Sequence, residues 1–248
     1  MIDSNGHFVV DEDVTQVSRK FKQFKSGKLK EETDDYFTLK ATEIEARLDV
    51  DYYTPSQREL VQYLQGKGAR KLGEIVDVVR KRSPKLKSRD AEVGYIELAD
   101  VNVDYMEISQ ATRMRVHELP SRATYEIEAG DIITPVAGNS IGTQEHMSAL
   151  VTNRCSGCIC SSGFRVLKPS PEVDTHYLLL YLRSDWLLRQ VSRYRTGAAI
   201  PAISDEELNR ILVYLLPKKL QKSIGEKVRN SFELRERSRE ILHSWLYV

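Results

Sequence analysis

RYRTGAAIPAISDEELNRILVYLLP, residues 193–217, joins the two kinds of structure this chain has to hold together. Its first half carries two arginines, a tyrosine and a flexible Thr-Gly pair. Its second half opens a helix with a firm start. Ser204 and Glu207 stand at capping-box spacing, where a hydroxyl and a carboxylate satisfy each other's free amides. Ile203 and Leu208 sit where a hydrophobic staple fixes the entry angle. The pattern predicts a helix over 205–211, with Pro201 stiffening the approach and Gly197 letting the loop backbone come close to another group. A cationic loop on a rigid base is expected at 193–198, although these residues also suit a solvated loop beside a core helix.

Working outward, PEVDTHYLLLYLRSDWLLRQVSRY (171–194) places Tyr177, Leu178, Tyr181, Leu182, Trp186, Leu187 and Val191 on one broad helical face. Before it, from Lys71 to Lys168, the chain favours strands. KLGEIVDVVRKR, EVGYIELADV, TYEIEAGDIITPVAG, ALVTNRCSGCICSSG and FRVLKP are short β-branched or aromatic runs, parted by Gly, Pro, Asn and Asp. Five such runs suggest a curved sheet or a partly open barrel, so the fold class is α+β: strand-rich with packed helices. A short helix over 57–65 is expected from Ser56 and Glu59, again at capping-box spacing, and from Gly66 and Gly68 beyond it. Residues 1–40 are polar and lysine-rich and read as an extension or linker. After Pro217 a long helix is expected. Leu220, Ile224, Val228, Ser231, Leu234, Ser238, Ile241 and Trp245 recur along it in steps of three and four, a narrow stripe suited to one partner helix.

The 248 residues include 37 Lys and Arg against 36 Asp and Glu, so a net charge of +1 gives no global pull toward nucleic acid or membrane. Any basic surface must be local. No signal peptide and no apolar run of about 18 residues is present, and three clustered cysteines suit a reduced chain, so a cytoplasmic location is expected. Cys155, Cys158 and Cys160 could supply three zinc thiolates, but only His146 lies near as a fourth ligand. Alternation in CICSSGFRV favours small cysteines buried in a strand. No phosphate loop, nucleophile elbow or metalloprotease helix occurs, and the five histidines suggest no triad. No catalytic residue, metal or cofactor is assigned.

What stands out is RKRSPKLKSR (80–89): six cations in ten residues with no acid, kept from helix by Pro84. Such a loop can neutralise several phosphates, though it can equally be a solvated charged loop. RYRTG is a second basic loop. GNSIGT (138–143) is a third candidate, offering Asn139 and Ser140 between glycines. Asn and Arg pair bidentately with adenine and guanine edges in the major groove. Three such loops on one sheet-based domain suggest a reading head, with lysines positioning and base contacts specifying.

The order of segments resembles half of a specificity subunit of a type I restriction-modification system. The matching pieces are RLDVDYYTPS, KLGEIVDVVRKR, YIELADVN, EAGDIITPVAGNSIGT, SSGFRVLKPS, YLLLYLRSD and TGAAIPAISDEELNRILVYLLP running into the last helix. The resemblance covers roughly residues 45–248, and GDIITPVAGNSIGT and TGAAIPAISDEEL are its most specific pieces. It implies a target recognition domain at 41–216 that reads half of a bipartite double-stranded DNA site. A spacer helix at 217–248 would pair with another helix, as in a homodimer, and dock a methyltransferase subunit. With one recognition domain and one spacer helix, the chain looks like a half-subunit that dimerises or the tail of a larger protein. HFVVDEDVTQVSRKFKQFK looks like the end of an adenine methyltransferase domain, as in fusions of methylation and recognition. Loops 80–89, 138–143 and 193–198 would face DNA. Arg82, Lys85, Lys87 and Arg195 would contact phosphate; Asn139, Ser140, Arg193 and Tyr194 would meet base edges; Arg80, Lys81 and Thr196 complete the set. Two rival readings stay open: a fragment of a DNA methyltransferase, or a non-catalytic interaction protein assembling through its last helix.

Overall fold

The computed structural model describes residues 12–29, 32–45, 47–79 and 88–246. The chain divides into two compact units, residues 1–60 and 61–248.

In the first unit, the stretch expected as an extension forms helix α1, Glu12–Lys25. Val14, Val17, Phe21 and Phe24 recur at helical spacing along it and are each more than half exposed. With Tyr36, Phe37 and Leu39, Val17, Phe21 and Phe24 line an open groove of about 760 Å³. Lys20 donates to the Tyr36 hydroxyl at 2.7 Å. Helix α2, Pro55–Gly66, starts differently from expectation. Proline takes the first helical position, and the Ser56 amide and hydroxyl both donate to Asp34, at 2.9 and 2.5 Å. A carboxylate distant in sequence thus caps this helix, and Ser56 lies inside it.

The second unit is built on two sheets. Its elements in order are β1 (Arg70–Lys71), α3 (Leu72–Ile75), β2 (Val76–Val79), β3 (Glu92–Ile96), β4 (Val101–Asn102), β5 (Glu107–Ile108) and β6 (Thr112–Arg115). They continue with β7 (Ala123–Glu126), β8 (Ile132–Pro135), β9 (Ala149–Leu150), β10 (Ile159–Ser161) and β11 (Phe164–Pro169). Then come α4 (Thr175–Tyr181), α5 (Asp185–Tyr194), α6 (Asp205–Arg210), β12 (Leu212–Val213) and α7 (Lys218–Leu246). One sheet has the order β2-β11-β8-β9-β5-β4, the other β6-β3-β10-β7, and β1 pairs with β12. Within the larger sheet only β5 and β9 run parallel, and within the smaller only β3 and β10. Side chains of both sheets, Ile96, Tyr125, Ile133, Cys160, Phe164 and Val166 among them, share one core. The α+β class and the five strand runs are borne out.

The cysteines lie in that core: Cys155, Cys158 and Cys160 are all buried, and none is in a disulfide. Burial pushes the Cys160 thiol up to about 12. The hydrogen bond between Cys155 and Cys158, helped by burial, pushes Cys155 up as well. Thiolates are therefore disfavoured, and these side chains pack as small apolar groups.

The single helical face over 171–194 is broken into α4 and α5. Ser184 interrupts it, because its hydroxyl accepts from the Leu187 amide at 3.3 Å and so starts a new helix. Side-chain hydrogen bonds lock the pair onto β12 and the segment after it. Gln190, buried to 1% exposure, accepts from the Leu212 amide at 2.7 Å and donates to its carbonyl at 2.9 Å. The Tyr177 hydroxyl donates to Tyr214 O at 2.6 Å.

Candidate nucleic-acid interface

Loop 195–202 leaves the end of α5 and enters α6 through the expected cap. Ser204 accepts from the Glu207 amide at 3.2 Å, and Glu207 accepts from the Ser204 amide at 3.3 Å. The staple residues Ile203 and Leu208 are buried. Asp205, in the first turn of α6, takes Arg165 of β11 at 2.5 Å, which ties the loop's base to the larger sheet. Within the loop, Thr196 and Ala202 exchange both backbone bonds at 2.8 Å. Gly197 turns the chain at φ +92°, and a side chain there would stand 2.7 Å from Ile200 O.

Loop 138–143 continues from β8 and meets this loop. Ala137 bridges Ala202, and the Gly138 amide donates to Pro201 O at 2.9 Å. Arg195 donates to Ile141 O at 3.4 Å. On its other flank the loop lies against α5: a Cβ on Gly142, at φ +72°, would meet the Ser192 backbone nitrogen at 2.7 Å. Beneath sits His146, 2% exposed. Its Nδ1 accepts from the Gly142 amide at 3.2 Å, its Nε2 meets the Thr134 hydroxyl at 3.1 Å, and Thr134 meets Ser148 at 2.9 Å. Burial lowers His146 to about 4, with the Arg183 charge acting the same way, so the ring is neutral and can accept from that amide.

Two loops about sixty residues apart in sequence thus form one ridge. Asn139, Thr196 and Ile200 are exposed on it, while Ser140 and Arg195 are half-buried. Arg193 and Tyr194 are a correction to the expected loop. They form the last turn of α5, because Leu187, Val191 and Tyr194 continue one apolar stripe, and each is only 8% exposed. The loop begins at Arg195. Arg80, Lys81, Arg82, Lys85 and Lys87 lie outside the described residues. Sequence reading missed Arg183, whose guanidinium donates to Gln144 O at 3.2 Å and so stands at the ridge's edge. It also passed over Ile200, 69% exposed at the loop tip, although an isoleucine before a proline in a glycine loop has no obvious core to enter.

Among the described residues no cluster of His, Cys, Asp and Glu could hold a metal ion. Nor is any described helix long and apolar enough to cross a membrane.

A family model for the type I restriction modification DNA specificity domain matches residues 66–241. The chain belongs to that family. Two solved structures of this kind are similar to it. One is the HsdS subunit from Thermoanaerobacter tengcongensis, at 28% identity and a TM-score of 0.55 over 69% of this chain and 43% of that one. The other comes from a structure titled for complex assembly and conformational transition of the type I R-M system, at 26% identity and a TM-score of 0.55 over 70% and 43%. The specificity-domain chain therefore spans less than half the length of either structure. No curated protein sequence matches it. The matched span begins at residue 66 and leaves the first unit, residues 1–60, outside it.

Proposed function

We propose that this chain is a sequence-specific double-stranded DNA recognition module of a restriction-modification system. It reads one half-site, carries no catalytic residue of its own, and directs a partner methyltransferase subunit. The observation that carries the reading is the ridge itself. Loop 138–143, picked from sequence for its side-chain chemistry, and loop 195–202, which overlaps the expected 193–198, are joined backbone to backbone and leave Asn139 and Thr196 exposed together. A pre-formed ridge presents amide and hydroxyl groups without ordering cost, which favours discrimination between base edges. Arg195 and the cations of 80–87 supply the phosphate contacts that hold the module in register.

The domain limits follow the same reading, with recognition over 41–216 and a spacer helix from 217. Helix α7 supports a partner role. Leu234, Ile241, Leu242 and Trp245 on its far half are 51–80% exposed, an apolar surface suited to another helix, including that of a second copy. This favours assembly alongside DNA reading rather than instead of it.

The test is selection from a pool of random duplex DNA by the purified chain at two salt concentrations, with sequencing of what is retained. A short recovered motif whose affinity falls steeply with salt is expected. Absence of binding at both salts would overturn the reading and leave the interaction protein.

A further inference from the structure

Helix α7 meets the rest of its unit near its start and again further on, and the later contacts are electrostatic. Near its start, Gln221 and Gly225 lie against the first turn of α4, and the Phe232 ring stands 6.2 Å from that of His176. Two turns further on the β4–β5 hairpin grips the helix. Glu107, on β5, is buried to 5% exposure, and its carboxylate is held by Arg235 at 3.6 Å and by Arg239 in direct contact. Arg235 also donates to Tyr105 O at 3.2 Å and stands 5.2 Å over the Tyr105 ring. Arg154 reaches Glu236 at 3.7 Å. The hairpin turn holds Met106 at φ +54°, a left-handed conformation that only firm surroundings sustain in a residue with a side chain.

A buried carboxylate is a poor stabiliser, since its desolvation offsets the attraction of its partners, but it demands those partners in one geometry. An apolar seam would let the helix slide or roll; two guanidinium groups on one carboxylate do not. We infer that Glu107 is a positioning residue: through Arg235 and Arg239 it fixes the direction in which α7 leaves the recognition domain, and so the distance at which a second half-site is read. The consequence for half-site distance rests on the proposed function. The fixed direction does not.

The experiment uses the full chain with spin labels on exposed cysteines introduced at Lys168 and Ser244, the three native thiols being buried. The parent should give one narrow distance distribution. In Glu107→Gln, and in the double variant Arg235→Gln with Arg239→Gln, the distribution should broaden about two-fold or shift. Arg239→Lys, which keeps a charge, should retain the narrow form, as should the exposed-pair control Arg210→Gln. An unchanged distribution in a folded Glu107→Gln chain would overturn the inference. If that variant fails to fold, the helix-side double variant decides, because both arginines lie on the helix surface. A second arm separates this from DNA reading. Selection from a pool carrying two half-sites should recover the same half-site from Glu107→Gln but with a wider spread of spacings. A pool that yields no motif even for the parent sinks the DNA reading and leaves the distance measurement standing.

Discussion

The recognition ridge and the far half of α7 are both held firmly, yet by opposite means. Above the Arg165–Asp205 ion pair at its base, the ridge is held by backbone hydrogen bonds, close glycine contacts and a neutral buried histidine. The far half of the helix is held by charge, at Glu107 and Glu236. Neutral short-range contacts do not respond to salt, while partly exposed ion pairs do. A surface that approaches a phosphate backbone, whose own counterions make binding salt-dependent, needs its shape fixed independently of ionic strength. The proposed spacer helix needs a fixed direction instead, and the Glu107 clamp supplies it through groups that salt can weaken. The two regions therefore fail under different perturbations, and that difference is what experiments can attack.

The largest effect is expected at Gly142. Alanine there combines left-handed strain with a clash against the Ser192 backbone, which cannot swing aside as a side chain could. Together these cost about 2–5 kcal/mol. Urea unfolding should show the loss, and DNA selection should weaken even in chains that remain folded. A neutral result would mean the ridge yields more easily than its contacts imply.

Next is the pH response of His146. Its folded pKa of about 4 lies below the ordinary histidine value, so the folded chain resists the proton that the unfolded chain accepts. Its contribution is complete above roughly pH 6.5 and is lost as pH falls toward 4, a difference of about 3 kcal/mol. Carboxylates lowered by their partners, such as Asp49 beside Arg47, also weaken the fold in acid. The measurement is therefore the unfolding midpoint against pH for the parent minus His146→Asn. Parallel curves between pH 6.5 and 4.5 would sink the assignment.

Gly225 sharpens the other side of the comparison. A Cβ there would run into the Asp174 carboxylate, which is pinned because it accepts from the His176 and Tyr177 amides at 3.0 and 2.9 Å. Gly225→Ala should cost about 1–3 kcal/mol through overpacking, despite alanine's better helix propensity. It should loosen α7 while leaving the half-site motif unchanged. Loss of the motif would show that ridge and helix are not separable.

Much of this was legible in the sequence for a simple reason: caps and turns are local. Ser204 with Glu207, and Gly197 beside Ile200, act over three or four residues, and each sits where the sequence indicated. What was hidden depends on partners far away in the chain. Asp34 replaced Ser56 as the cap of α2, and Ser184 divided a continuous apolar face. β5 and β6 are short strands, and the polar β6 lies mostly exposed at a sheet edge, so neither shows an alternation to read. Arg193 and Tyr194 looked like loop residues because a glycine follows closely, yet the stripe from Leu187 through Val191 carried the helix on to Tyr194. Burial of a cation cannot be read from its neighbours in sequence.

The smallest effect separates specifying from positioning contacts. Asn139→Ala removes an exposed amide from the ridge, so stability should hold within about 0.5 kcal/mol. Affinity for the selected half-site should fall by about 1–3 kcal/mol, with binding to unrelated duplex unchanged. Lys85→Ala should do the reverse, weakening all duplexes alike and lowering the salt slope by about one. Titrating both variants against the selected and a scrambled duplex at several salt concentrations gives each a distinct signature, one in sequence preference and one in slope. If Asn139→Ala weakened both duplexes equally, the ridge would be a backbone clamp, and the reading of bases would have to move to side chains nearer Arg183 or to segment 80–89. If Lys85→Ala left the slope untouched, that segment would be a solvated loop, and Arg195 would stand as the phosphate contact of the ridge.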